Sequence, residues 1–356
     1  MTLRALLLAV LLPVAAALAG TPIPIKVVVV ATFEIGADKG DAPGEFQHWA
    51  EGEHLDQVIP FPAGFQDLKM NSSGVLGLVC GCGKTQAAAS VMALGLDPRF
   101  DLSHAYWILS GIGGVNPRNA TIGSVTWARW VVDGDLAHEI DAREIPKDWA
   151  TGYFPFGATH PYSPAPNQLD EDQNARFFYR RQQLNAGIAQ WAYRLTAHVP
   201  LQDDPTMTAL RRRFTETPAA QTPPRVYQGD VISTDVFWHG KKMSERAEAW
   251  TAYSTGDKAT YVMCAMEDIG CVRSLTLLDR ARKVDFSRVL VSRGGSNFDE
   301  PPPGMDPVTS LTKEFHNYSG YLPSLENLYR TGHVVLAELT SHWDKYKDSV
   351  PSAPAP

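Results

Sequence analysis

Residues 24–34 read Pro-Ile-Lys-Val-Val-Val-Val-Ala-Thr-Phe-Glu, and the four consecutive valines restrict the fold more than any other feature of the chain. A strand apolar at successive positions has no side left for water, so it must be covered on both faces. Such strands belong to α/β sheets, where helices supply the cover. Residues 74–81 ("GVLGLVCG") repeat that character and lead into a small-residue helix expected over about 85–94. Residues 104–114 ("HAYWILSGIGG") and 288–297 ("RVLVSRGGSN") read as strands ending in glycine turns. Further strand runs occupy 122–133, 225–238 and 259–267, with a helix expected from Asp268 to Asp279. A long amphipathic helix is expected over 324–347, its apolar face carrying Leu325, Leu328, Val335, Leu339 and Trp343. Alternating strands and helices predict a three-layer α/β/α sandwich around a central mixed sheet, with the binding crevice where strands end in loops.

Between 141 and 224 the texture changes to a Pro/Tyr/Gly-rich loop, a helix expected over 175–196, and the Arg-rich 209–216. This region reads as an insertion or cap on a single domain of residues 20–349. Residues 350–356 read as a disordered tail.

The first twenty residues have the pattern of a secretory signal. Arg4 precedes an apolar stretch from 5 to 18, and Ala17-Leu18-Ala19 offers a small-x-small cleavage site. About 14 apolar residues are short for a spanning helix, and no later stretch approaches the ~20 a span needs. The expectation is a leader over 1–19 and a periplasmic or secreted chain without a span. The net charge of −7 gives no basic footprint for nucleic acid. Three sequons, at Asn71, Asn119 and Asn317, matter only if the source glycosylates what it secretes.

Several tempting motifs fail on spacing. Gly83-Lys84-Thr85 would end a Walker A loop if a glycine stood at 78, but that residue is Leu78. Cys80 and Cys82 are closer together than paired zinc ligands, and Cys264 and Cys271 are seven apart. Buried packing is the expected role of these cysteines, with a Cys264–Cys271 disulfide as the alternative; no metal is expected. The histidines are scattered, and neither a His-Glu-x-x-His helix nor a Gly-x-Ser-x-Gly elbow occurs.

Five segments, in order, resemble the nucleoside phosphorylase and nucleosidase superfamily. They are "CGCGKTQAAAS", "SGIGGVNPRNATIGSVTWA", "GDVISTDVFW", "VMCAMEDIG" and "VSRGGSN". The likeness is closer to one branch, the purine nucleoside permease family, through "GDAPGEFQHWAE", "MALGLDPRFDLSHAYWILSGIGGV", "WARWVVDGDLAHEIDAREIP" and "AMEDIG".

The resemblance implies a purine nucleoside as ligand and N-glycosidic cleavage, by phosphorolysis or hydrolysis, as reaction; the alternative it leaves open is a nucleoside-binding protein that assists uptake without turnover. It places Glu267 on the ribose 2′ and 3′ hydroxyls with Met266 packed on the sugar. Phe237 would stack on the purine, with Trp238 adjacent. Gly111, Ile112 and Gly113 would line the base. Asn297 stands where many members carry Asp; an amide can donate a hydrogen bond but not a proton, which implies a bias toward 6-oxopurine nucleosides. Arg293 is expected either to orient that loop or to form a structural ion pair. No cofactor is implied, although phosphate is left open as a co-substrate.

The nucleophile is the gap. Hexameric phosphorylases place a Ser where this chain has Ile112, and nucleosidases place a water-activating Glu where it has Gly36, with Glu34 and Asp38 each two residues away. Arg180, Arg181 and Arg211–Arg213 are candidates to fill it, a solvated basic face being the bland alternative. Lys84 is expected to be a surface or loop-stabilising charge and not a phosphate ligand. The superfamily's dimers, trimers and hexamers imply a homo-oligomer.

Overall fold

The computed structural model describes residues 21–165, 180–314 and 320–352. The proposed leader at 1–19 and the sequon at Asn317 lie outside them. Twelve strands form the main sheet among the described residues. In chain order these are β1 (Val27–Ala31), β2 (Gln57–Ile59), β3 (Leu68–Met70), β4 (Val75–Val79), β5 (Tyr106–Val115), β6 (Val125–Trp127), β7 (Trp130–Asp133), β8 (Arg181–Gln183), β9 (Val226–Gln228), β10 (Asp230–Ser233), β11 (Tyr261–Ala265) and β12 (Val289–Phe298). The central path runs β8-β7-β10-β11-β5-β1-β4-β3-β2, and β12 lies along β5 with β6 and then β9 beyond it. β1 is parallel to β4 and β5, while β11 meets β5 antiparallel, so the sheet is mixed.

The valine run is buried on both sides, as its composition demands. Val28 and Val30 face one apolar cluster with α2 (Lys84–Gly95) and α6 (Asp268–Arg280). Val27 and Val29 face another with α1 (Gln47–Gly52), α3 (Ala186–Thr196) and α7 (Tyr321–Ser341). Successive residues of a strand point to opposite sides, so one pentapeptide nails together both helical layers. Two more helices, α4 (Pro205–Arg212) and α5 (Lys241–Thr255), complete those used below.

The glycine-rich ends differ from expectation. Gly111, Gly113 and Gly114 lie inside β5, and Gly294 and Gly295 inside β12, so these are continuous strands and not turns. A Cβ on Gly113 would sit 2.5 Å from the Cys264 carbonyl oxygen, and one on Gly295 would sit 2.3 Å from the Val115 side chain. The glycines therefore permit close strand approach.

The expected strand over 122–133 is split into β6 and β7. Of the helix expected over 175–196, residues 181–183 form edge strand β8, paired antiparallel with β7, and the helix begins only at Ala186, capped by Asn185. The pattern misled because Arg181-Gln182-Gln183 is polar and carries neither period. The long C-terminal helix starts earlier and stops at Ser341, so Trp343 belongs to a separate short helix, Trp343–Tyr346.

Within the 141–224 region, β8 extends the main sheet and α3 packs in its second core. At the C-terminal tail, Val350 packs on that same core and Pro351 is buried, while 353–356 fall outside the described residues. No described helix is long and apolar enough to cross a membrane. The Asn71 carboxamide is tied to Glu53 O, Ser73 and Val75, and that of Asn119 to Tyr261 O, so both sequon side chains are engaged within the fold.

Candidate functional site

The carboxyl ends of β1, β4, β10 and β11 open on a cavity of about 300 Å³, floored by the second halves of β5 and β12. That is the edge at which open α/β sheets hold ligands.

Glu267 stands at the junction of β11 and α6, in the helix N-cap position. Its Oε1 accepts from Gly83 N at 3.1 Å, and its Oε2 lies 3.3 Å from Arg293 Nη2. Burial pushes its carboxyl above the ordinary value, while the Arg293 charge opposes that rise. Met266 lines the cavity beside it.

Phe237 is half exposed at the mouth, with Val236 beside it and Trp238 buried. This loop follows β10 and is pinned by Asp135, which accepts from Thr234 Oγ1 and from Asp235 N.

Asn297 also lines the cavity, just after a register shift in β12 that turns its side chain relative to the regular ladder. Its Oδ1 accepts from Ser296 Oγ at 2.9 Å and its Nδ2 donates to Phe298 O at 3.0 Å. One amide N–H is left without an acceptor among the described residues.

Ile112 and Gly113 line the cavity, whereas Gly111 and Arg293 lie behind it. A Cβ on Gly111 would meet Arg293 Nη1 at 2.2 Å. The Arg293 guanidinium is buried on Asp268 (Nη2 to Oδ1, 2.7 Å), on Glu267, and on the Ile112 carbonyl (3.0 Å). Burial works against its charge, but Asp268, Glu267 and Glu45 outweigh that effect and hold the pKa above the usual value. Arg293 is thus ion-paired to Asp268 and Glu267 and donates to the Ile112 carbonyl, contacts compatible with both of its expected roles.

Glu45 is the residue that sequence reasoning missed. It lines the cavity and is almost fully buried, although it precedes α1 in a loop well removed from β1. Its Oε2 accepts from Thr32 N at 2.7 Å and Thr32 Oγ1 at 2.5 Å, and its Oε1 from Ile112 N at 2.6 Å. Burial raises its pKa from 4.5 to about 7, with Arg293 opposing and Glu267 adding. The available signal was its place within the permease-like segment "GDAPGEFQHWAE".

The two acids nearer the expected position are committed elsewhere. Glu34 accepts from Phe46 N and Gln47 N at the start of α1, and Asp38 pairs with Lys69 at 2.7 Å.

None of the basic candidates lines the cavity. Arg180 and Arg211 are buried, on Phe156 O and Asp203 respectively, which corrects the expectation of a solvated basic face for these two. Lys84 pairs with Asp135 at 2.6 Å and Asp133 at 3.5 Å, and so ties its loop to the neighbouring strand ends. All four cysteines are free thiols. Cys80 and Cys271 are buried as expected, but Cys82 is exposed and lines the cavity together with Cys264. Although Cys82 is exposed, partial desolvation where it meets the cavity wall, then Glu267 and Glu45, push its thiol up to about 11, which keeps it protonated at neutral pH.

This mixed sheet between helical layers is a fold that the chain shares with solved nucleosidases. The 5′-methylthioadenosine/S-adenosylhomocysteine nucleosidase of S. pneumoniae superposes with a TM-score of 0.51 at 16% identity, covering 89% of this chain and 99% of that one. The futalosine hydrolase of Helicobacter pylori gives 0.51 at 13% identity, covering 88% and 98%.

Within that fold the chain belongs to the purine nucleoside permease (NUP) family, whose profile matches residues 24–351. A purine nucleoside permease of Candida albicans is 28% identical over 334 residues, 91% of this chain and 77% of the relative. A Schizosaccharomyces pombe relative described as a "Probable purine nucleoside permease" is 31% identical over 269 residues, 75% and 76% of the two chains.

Proposed function

We propose that this chain recognises a purine nucleoside and cleaves its N-glycosidic bond, in nucleoside uptake or salvage outside the cytoplasm. One observation carries the reading. Met266 with Glu267, Phe237, and Asn297 come from three distant segments, were each assigned a separate job, and converge on one cavity. Glu267 is the acceptor for the ribose diol, Phe237 the stacking ring, and Asn297 the donor to the purine at N7 or O6. The pattern of residues 1–19 supports export.

The second reading is a nucleoside binder that assists transport without turnover. It is favoured by relatives named as permeases, taken with a described fold that has no membrane-crossing helix. Incubating the purified chain with inosine, with and without phosphate, decides between them. Free hypoxanthine in either condition supports cleavage, and calorimetric binding without base release selects the binder.

A further inference from the structure

The sequence leaves the attacking group without an owner. We propose that Glu45 is the proton acceptor that activates a water molecule against the sugar, making cleavage in this cavity hydrolysis and not phosphorolysis. The inference rests on the cleavage reading above and names the nucleophile that reading lacks.

Three observations carry it. The first is placement. Glu45 lines the same cavity as Glu267, and both its oxygens are fixed by three donors, Thr32 N, Thr32 Oγ1 and Ile112 N. Oε2 has two of these bonds and Oε1 only one, which leaves Oε1 a lone pair for a water hydrogen. The second is charge. No lysine, arginine or histidine lines the cavity among the described residues. Arg293, whose charge acts on Glu45, is buried outside the lining on Asp268, Glu267 and the Ile112 carbonyl. Among the described residues a phosphate dianion would enter beside two carboxylates with no lining cation to receive it. Water is neutral and needs only an acceptor. The third is the proton affinity of Glu45. The groups facing it are Arg293 on β12, Glu267 at the head of α6, Cys80 and Cys82 at the end of β4, and Tyr321 at the head of α7. In that setting burial raises its carboxyl to about 7, near the optimum for a base working at neutral pH.

The step balances without a co-reactant. The water oxygen bonds to C1′ as the C1′–N9 bond breaks, and that bond's electron pair leaves with the purine. Glu45 takes one water proton and afterwards returns it to solvent. The departing purine takes a proton from solvent, so the products are ribose and neutral base.

The test uses the mature chain and inosine in heavy-oxygen water, with and without phosphate. Ribose carrying the heavy oxygen at C1, formed at a rate indifferent to phosphate, is expected. Glu45→Gln should lower kcat roughly 100- to 10,000-fold, the range of a positioned general base, and abolish the rise of kcat through neutral pH. Calorimetric inosine binding by the same variant shows that its cavity is intact; Glu45→Asp, which keeps a carboxylate, should recover part of the rate. Ribose 1-phosphate as product, or a Glu45→Gln variant within threefold of wild type, overturns the role of Glu45 while leaving cleavage standing. Binding without any base release from wild type overturns the cleavage reading and this inference together.

Discussion

Replacing Glu45 by glutamine removes a buried titration, and the effect on stability has a definite sign. Burial raises this carboxyl from 4.5 to about 7, against the Arg293 charge and with help from Glu267. Between those values the folded chain holds a proton that the unfolded chain releases. The folded state binds more protons there, so unfolding free energy falls as pH rises. The stability Glu45 contributes is fully present below about pH 4.5 and is lost as pH rises through about 7. A separation of about 2.5 pH units, at about 1.4 kcal/mol each, corresponds to roughly 3 kcal/mol.

Glutamine does not titrate, and the cost of its poorer hydrogen bonds to Thr32 and Ile112 does not depend on pH. The difference in unfolding free energy between wild type and Glu45→Gln should therefore move by roughly 3 kcal/mol in favour of the variant between about pH 4 and pH 8. Glu267 and Asp299 are also raised by burial, but their titrations persist in both proteins and largely cancel in the difference. Urea unfolding at several pH values measures it. Parallel stability curves for the two proteins would refute the reasoning.

Other substitutions separate the cavity from its support. Arg293→Met leaves Asp268 and Glu267 without their buried partner and should cost about 3–5 kcal/mol, read as a lower urea midpoint. Gly111→Ala brings a Cβ to 2.2 Å from Arg293 Nη1 and 2.9 Å from Glu45 Oε1. It should lower stability by about 1–3 kcal/mol in thermal unfolding, and an unchanged midpoint would contradict that packing. Phe237→Ala, half exposed at the mouth, should change stability by less than about 0.5 kcal/mol yet weaken inosine binding roughly tenfold in calorimetry. Inosine should bind more tightly than adenosine through Asn297, and equal affinities would remove the argument for a 6-oxopurine bias.

The chain's local chemistry settled a good deal by itself. Four valines with no polar side required helices on both faces, and the core clusters divide along that alternation. The misplaced glycine before Gly83-Lys84-Thr85 excluded a P-loop, and Lys84 is occupied by Asp133 and Asp135. Met266, Glu267, Phe237 and Asn297 could be named because each lies in a segment with a family pattern, and such patterns are contiguous. Other features depend on what lies opposite, which one strand cannot reveal. The glycine pairs read as turns because glycine often marks one; only the packing of β5 against β11 and β12 shows them to be spacers. The partner of Arg293 could not be read from its own strand; the fold supplies Asp268 from another element. Glu45 lies in a family-like segment too, but its use could not be read there for the same reason. Its meaning comes from Thr32, thirteen residues away, and from Ile112, sixty-seven away, whose backbone hydrogens turn an ordinary loop acid into a buried carboxylate facing Glu267. Local composition fixes which residues must be buried; the proton affinity and the chemical use of a buried acid are set by neighbours that only the tertiary fold supplies.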